Sequence, residues 1–167
     1  MIISIVGHGR KSGKTTTVEA IVRELTTRGY NVGCIKKIHK KDFSIDKKGK
    51  DSYRHAKAGA KLVATASPNE IAIIKKIATK NPVDEAINFM NLDNLDFILI
   101  EGRYDQSDIK ILAARSYEDA KEIIDKESFI FISSLTPENF PSNLKVFNPL
   151  RDVKKMIDII LSRNFQF

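Results

Sequence analysis

Short apolar runs alternate with amphipathic stretches along most of the chain, a pattern typical of an α/β fold. Two of the runs, 97–100 and 129–132, are continuously apolar, as in parallel strands buried on both faces. The runs 62–66 and 71–77 predict a hairpin that turns at Ser67-Pro68-Asn69. The segments that predict strands are 2–6, 32–38, 62–66, 71–77, 97–100, 109–113, 129–132 and 144–147.

Helical spacing predicts the elements between these strands. The apolar residues of the first helix recur at i, i+3, i+4 and i+7, and Gly29 ends it. Asp51 is expected to cap a helix that runs to about Gly59, and Pro82 suits the first turn of a helix through Met90. Two more helices are expected at about 117–126 and from about 150. The alternation favours one domain over 1–167, in three layers, with a mainly parallel sheet covered by helices on both faces.

The first strand leads directly into Gly7-His8-Gly9-Arg10-Lys11-Ser12-Gly13-Lys14-Thr15-Thr16-Thr17. A strand, a glycine-rich loop and Lys-Thr at a helix start form the order of a P-loop, which cradles nucleoside triphosphates with backbone N–H groups. Lys14 would reach the β and γ phosphates as a catalytic cation, and the Thr15 hydroxyl would ligate Mg²⁺. The residues expected to bind the nucleotide here are Gly9, Arg10, Lys11, Ser12, Gly13, Lys14, Thr15 and Thr16.

The loop departs from the usual P-loop spacing by one position. Counting back from Gly13, the first glycine of the pattern falls on His8, and Gly7 and Gly9 flank it. The loop is therefore one residue longer or shifted. The alternative is a chance Gly-Lys-Thr at a helix start, which the order of strand, loop and helix disfavours.

Carboxylates are needed as well, because Mg²⁺ takes hard oxygen ligands. Glu101 follows the apolar run 97–100, so it is expected at the sheet edge that carries the loop, as a catalytic and metal-binding residue. The alternative is a merely solvated strand-end glutamate. Asp42 or Asp46 could contact a Mg²⁺-bound water, or both could face solvent among the nearby lysines. We take Asp42 as the further metal candidate.

Composition limits the remaining function classes. The chain has 167 residues, and no apolar stretch approaches the roughly 20 residues of a membrane span. A single cysteine, Cys34, excludes an intrachain disulfide and a CxxC metal pair; it lies in a predicted strand and is expected to be buried. These features predict a cytoplasmic protein without a signal peptide.

The charge is strongly positive. The net charge is +7, and residues 36–50 contain seven lysines and only two acids. Such a run could meet nucleic acid, face a phosphorylated small molecule or be a solvated loop. It lacks the interleaved aromatic residues that single-strand binders use, so nucleic acid is the less favoured partner.

The middle of the chain resembles one family. Residues 35–39 read Ile-Lys-Lys-Ile-His, residues 49–54 read Gly-Lys-Asp-Ser-Tyr-Arg, and residues 98–103 read Ile-Leu-Ile-Glu-Gly-Arg. With the phosphate loop, these segments resemble molybdopterin-guanine dinucleotide biosynthesis protein B (MobB) over residues 1 to about 115.

The resemblance implies a dimeric P-loop protein that binds GTP with Mg²⁺, hydrolyses it slowly and assists a MobA-like guanylyltransferase in molybdenum-cofactor maturation. It places Glu101 near Mg²⁺ and the 36–54 region along the binding groove. Within that region, Lys47, Lys50 and Arg54 are expected to contact an anionic ligand, such as molybdopterin or its guanine dinucleotide, or the partner.

Three alternatives stay open. A small-molecule kinase would use Asp42 or Glu101 as a base, and a nucleic-acid-binding module would use the lysine run. A metallochaperone GTPase would need a Cys/His cluster, which this sequence does not offer. Guanine specificity cannot be derived, because no Asn-Lys-x-Asp motif occurs. Base contacts are expected between Ser133 and Pro149, where Asn139 and Asn143 are the candidates.

Overall fold

The computed structural model describes residues 1–40 and 42–164, so Lys41 of the lysine run lies outside the described residues. The chain divides into two compact units, one of residues 1–37 with the residues from 83 onward, and one of residues 38–82. A single domain over residues 1–167 stays a prediction.

The strands and helices follow the predicted order. The strands are β1 (Ile2–Val6), β2 (Val32–Lys36), β3 (Leu62–Ala66), β4 (Ile71–Lys75), β5 (Phe97–Glu101), β6 (Ile109–Ala113), β7 (Ile132–Ser133) and β8 (Val146–Phe147). The helices are α1 (Lys14–Thr27), α2 (Asp51–Lys57), α3 (Pro82–Met90), α4 (Tyr117–Ile124) and α5 (Val153–Asn164).

A parallel six-stranded sheet forms the centre of the first unit, in the order β2-β5-β1-β6-β7-β8. Because side chains alternate across each strand, successive residues of β5 pack on opposite faces of the sheet. Phe97 and Leu99 pack in the core that contains residues of α1 and α5, whereas Ile98 and Ile100 pack with α3. Helices therefore cover both faces, as the sequence predicted, and the carboxyl ends of β1, β5 and β2 lie side by side.

Several element boundaries differ from the predictions. β2 ends at Lys36 instead of residue 38, and α5 begins at Val153. The apolar run 129–132 contributes only Ile132 to β7, because β7 pairs with β6 just through Leu112 and Ala113. Asp51 is the first residue of α2 and Lys50 takes the cap position, so Asp51 favours the helix by its charge near the amino end.

The expectation that Cys34 is buried was wrong. Its strand, β2, lies at the edge of the sheet and pairs only with β5, and the residue is exposed. Nearby protein atoms still remove enough solvent from the sulfur to raise the pKa of the Cys34 thiol.

The second unit contains α2 and the predicted antiparallel hairpin of β3 and β4. Ser67 closes the turn: its N–H donates to the carbonyl of Glu70 at 2.8 Å, and its hydroxyl accepts from the Glu70 N–H at 3.0 Å. No helix in the described ranges 1–40 and 42–164 is long and apolar enough to cross a membrane.

Candidate phosphate-binding site

The loop between β1 and α1 uses its glycines for different reasons. Gly7 is tightly enclosed: a Cβ there would lie 2.5 Å from the Ala113 carbonyl oxygen and 2.6 Å from the Ser12 hydroxyl. Gly9 and Gly13 have φ of 61° and 91°, a region that strains other residues. Of the two glycines that flank His8, Gly7 allows the loop to approach β6 closely, and Gly9 allows the backbone to turn. These two roles explain why the glycines lie on either side of position 8 and not at it.

Lys14 folds back over this loop. Its Nζ donates to the Gly9 carbonyl and to the Ser12 hydroxyl, both at 2.7 Å, and lies 3.4 Å from the Gly7 carbonyl. Burial lowers the pKa of Lys14, while the Glu101 carboxylate opposes this shift and the Lys36 ammonium adds to it. The loop therefore holds a cation directly beside its own backbone.

The start of α1 is firmly anchored but carries no side-chain cap. Its first turn has no acidic residue, and its cap residue, Gly13, provides no side-chain hydrogen bond to the amino-terminal amides. The Gly13 carbonyl accepts from the Thr17 N–H and hydroxyl, both at 2.9 Å, and that hydroxyl also lies 2.8 Å from the buried Ser133 hydroxyl. A fixed helix start with uncapped amides and a positive dipole end suits an anionic ligand.

Glu101 closes the site from the neighbouring strand β5. One carboxylate oxygen, Oε1, accepts from the Thr15 hydroxyl at 3.0 Å and lies 3.2 Å from the Lys36 ammonium. The Glu101 side chain is only 15% exposed, so it is not simply a solvated strand-end carboxylate. The sequence placed Glu101 at this edge, but it did not single out the contact of Lys36 with the same oxygen.

Thr15 and Glu101 fit a magnesium ion that is shared with a phosphate group. A hydroxyl and a carboxylate are hard oxygen donors, and Mg²⁺ is commonly held by one or two carboxylates, several waters and substrate phosphates. No group of three or more His, Cys, Asp or Glu that could hold a metal ion occurs in residues 1–40 and 42–164. The pair alone supplies two oxygen donors, so a magnesium ion held there would also need oxygens from water or from a phosphate group.

The other predicted residues lie in the second unit. Asp42, Lys47, Lys50 and Arg54 are all exposed there. Arg54 reaches an Asp51 oxygen at 3.4 Å in an exposed pair, and such a pair contributes little stability. Asp46, the other acid of the lysine run, accepts a hydrogen bond from the Ser52 hydroxyl at 2.9 Å. The role of these residues in nucleotide or metal binding stays a prediction.

A small cleft runs along α1 and begins at Thr16, in the first turn of the helix. It has a volume of about 130 Å³ and is lined by successive turns of α1 and by Pro149 and Leu150 before α5. The expected base-contact candidates Asn139 and Asn143 are exposed elsewhere and do not line it. The sequence contained no signal for this cleft, because it forms where two distant segments pack together.

The family model for molybdopterin guanine dinucleotide synthesis protein B, MobB, matches residues 2–134. The chain belongs to the MobB family. It is 31% identical to the molybdopterin-guanine dinucleotide biosynthesis adapter protein of Escherichia coli K12, over 90% of this chain and 86% of that protein. It is 28% identical to the protein of the same name from Haemophilus influenzae, over 95% and 84% of the two chains.

Solved MobB structures share the fold. The crystal structure of Bacillus subtilis MobB matches with a TM-score of 0.71 and 26% identity, over 97% of this chain and 96% of that one. The MobB homolog from Bacillus stearothermophilus matches with a TM-score of 0.71 and 19% identity, over 99% of both chains. The predicted MobB resemblance and the predicted P-loop α/β fold are thus confirmed.

Proposed function

We propose that the chain is a GTP-binding adapter in molybdopterin guanine dinucleotide synthesis, with weak Mg²⁺-dependent GTPase activity. The observation that carries this proposal is the convergence of Lys14, the uncapped start of α1 and the Thr15–Glu101 pair at one sheet edge. The adapter role is supported by family membership and by the names of the bacterial relatives.

In this proposal the chain mainly binds and orients the triphosphate. Backbone amides of residues 9–16 and the Lys14 ammonium hold the phosphates, and Thr15 and Glu101 hold Mg²⁺, which would neutralise phosphate charge. Hydrolysis is slow because the candidate arginines are not fixed beside the terminal phosphate: Arg103 is paired with Glu127, and Arg10 is exposed in the loop. In this proposal the nucleoside lies in the cleft that begins at Thr16.

The exposed cations of the second unit serve the adapter role. Lys47, Lys50 and Arg54 would attract an anionic pterin phosphate or an acidic partner surface. We expect the triple variant Lys47→Glu, Lys50→Glu, Arg54→Glu to lose the stimulation of guanine dinucleotide formation while keeping its GTP affinity within about threefold. The measurement uses purified chain, molybdopterin, a MobA-like guanylyltransferase and MgGTP, with the dinucleotide quantified.

A matched control reverses three other exposed lysines of the same unit, Lys57, Lys61 and Lys80, and changes the net charge equally. This control should still stimulate the reaction. Equal loss in both triple variants would indicate a general charge effect. No stimulation by the unchanged protein would contradict the adapter role itself.

The hairpin supports a homodimer. The hairpin face that carries Leu62, Ala64, Ala66, Ile71 and Ile73 is apolar except for Lys75 at its end, and Ile71 and Ile73 are 68% and 51% exposed. A two-stranded hairpin is marginally stable alone in water, and exposed apolar patches mark association surfaces. We propose that a second copy of the chain covers this face.

Ile73→Lys is expected to shift the chain from dimer to monomer, because it places a charge in the middle of the apolar face. Sedimentation equilibrium measures the change directly. Thr65→Lys, on the opposite face of the same hairpin, is the control and should remain dimeric. An Ile73→Lys protein that dimerises as strongly as the unchanged chain would rule out this surface.

A further inference from the structure

Lys36 occupies a distinctive position beside the Thr15–Glu101 pair. It is the last residue of β2, and its Cα is paired in register with Glu101, the last residue of β5. Its Nζ lies 3.2 Å from the same Glu101 oxygen that accepts from the Thr15 hydroxyl. A protein cation therefore already neutralises the carboxylate on which the proposed magnesium site depends.

The side chain of Lys36 has room to leave this contact. It is 62% exposed, whereas Glu101 is 15% exposed and is held from the other side by Thr15. The neighbouring lysine is engaged differently: Lys37 donates its Nζ to the Arg103 carbonyl at 2.8 Å. Lys36 can thus exchange partners by rotating a flexible side chain, while Glu101 stays in place.

The positions of Thr15, Glu101 and Lys36 indicate how a triphosphate would be oriented in the proposed site. In phosphoryl-transfer sites the magnesium ion bridges the β and γ phosphates, so the terminal phosphate lies on the metal side. Here the metal side is the Thr15–Glu101 pair, and Lys36 stands next to it on the far side of β5 from the loop. In that orientation a triphosphate would reach Lys36, whereas a diphosphate would end before it.

We propose that Lys36 is a binding residue for the terminal phosphate and makes the site selective for triphosphate over diphosphate nucleotides. This inference rests on the proposed function of the same site. In the free protein the Lys36 ammonium pairs with Glu101. When a magnesium–triphosphate complex binds, the ammonium leaves the carboxylate and pairs with a γ-phosphate oxygen.

The test compares the affinities of fluorescent GTP and GDP analogues, each titrated with Mg²⁺, for four proteins: the unchanged chain, Lys36→Met, Lys36→Arg and Lys37→Met. In Lys36→Met we expect the GTP-to-GDP affinity ratio to fall about tenfold, the scale of a charge-assisted hydrogen bond. We also expect Mg²⁺ to bind the GDP complex more tightly, because no ammonium competes for Glu101. Lys36→Arg should restore most of the ratio.

Lys37→Met controls for general loss of positive charge, since it removes an adjacent ammonium that does not contact Glu101. Lys36→Met could keep the GTP-to-GDP affinity ratio of the unchanged protein, or it could weaken the binding of GTP and GDP equally. In either case Lys36 does not bind the terminal phosphate, and the inference is wrong. If the unchanged protein binds neither nucleotide, the proposed function fails and this inference fails with it.

Discussion

Lys14→Ala is expected to weaken GTP binding by about 10- to 100-fold, because the variant loses a cation that hydrogen-bonds to phosphate oxygens, and such bonds contribute about 1.5–3 kcal/mol. The ammonium is already positioned by the Gly9 carbonyl and the Ser12 hydroxyl, so little ordering is needed when a ligand arrives. Isothermal titration calorimetry with MgGTP measures the loss. The variant should remain folded, since the side chain lies over a surface loop.

Lys126→Ala provides the matched control for this change. It removes another lysine charge, at an exposed position between α4 and the amino end of β7, whereas the proposed site lies at the carboxyl ends of β1 and β5. Its GTP affinity should equal that of the unchanged protein within about twofold. If Lys14→Ala binds GTP as tightly as this control, the loop does not hold the phosphates and the proposed nucleotide site is wrong.

Gly7→Ala is expected to have the second large effect, on both stability and binding. The new Cβ would lie 2.5 Å from the Ala113 carbonyl oxygen and 2.6 Å from the Ser12 hydroxyl, closer than any carbon tolerates. Because the first of these is backbone of the central sheet, the loop has to move. We expect the free energy of unfolding to fall by about 1–3 kcal/mol, as in other overpacked sites. GTP affinity should fall at least about tenfold, because Lys14 moves with the loop.

Gly33→Ala separates this effect from the general cost of adding a methyl group to a buried strand glycine. The Cβ at Gly33 would meet the flexible side-chain ends of Leu95 and Met90, which can rotate away. Urea denaturation should show a smaller loss for Gly33→Ala than for Gly7→Ala, with GTP affinity unchanged. Equal stability of Gly7→Ala and the unchanged protein would mean that the loop is not packed against β6 as described.

The parts of the fold that depend on local sequence were predicted well. The strand, the glycine-rich loop and the helix start are adjacent in the chain, so their order could be predicted directly from residues 2–17. Glu101 was correctly placed at the end of a strand, because the continuous apolar run before it predicts a buried strand. The hairpin also followed from its alternation and its turn residues.

The order of the strands in the sheet and their pairing could not be predicted from the sequence. Cys34 was expected to be buried because it lies in a predicted strand and a free cysteine is among the most often buried residues, but β2 lies at the sheet edge. The contact of Lys36 with Glu101 depends on the register of β2 against β5, which no local pattern encodes. β7 is short because its pairing with β6 is short, although the apolar run before it is long.

The exposure of Cys34 has a practical consequence. It is the sole sulfhydryl of the chain, and it stands two positions before Lys36, on the same side of β2. A thiol-reactive fluorophore would therefore attach at one defined place close to the proposed nucleotide site, without any engineered cysteine. The raised pKa of the Cys34 thiol means that labelling proceeds best in mildly alkaline buffer, where more thiolate is present.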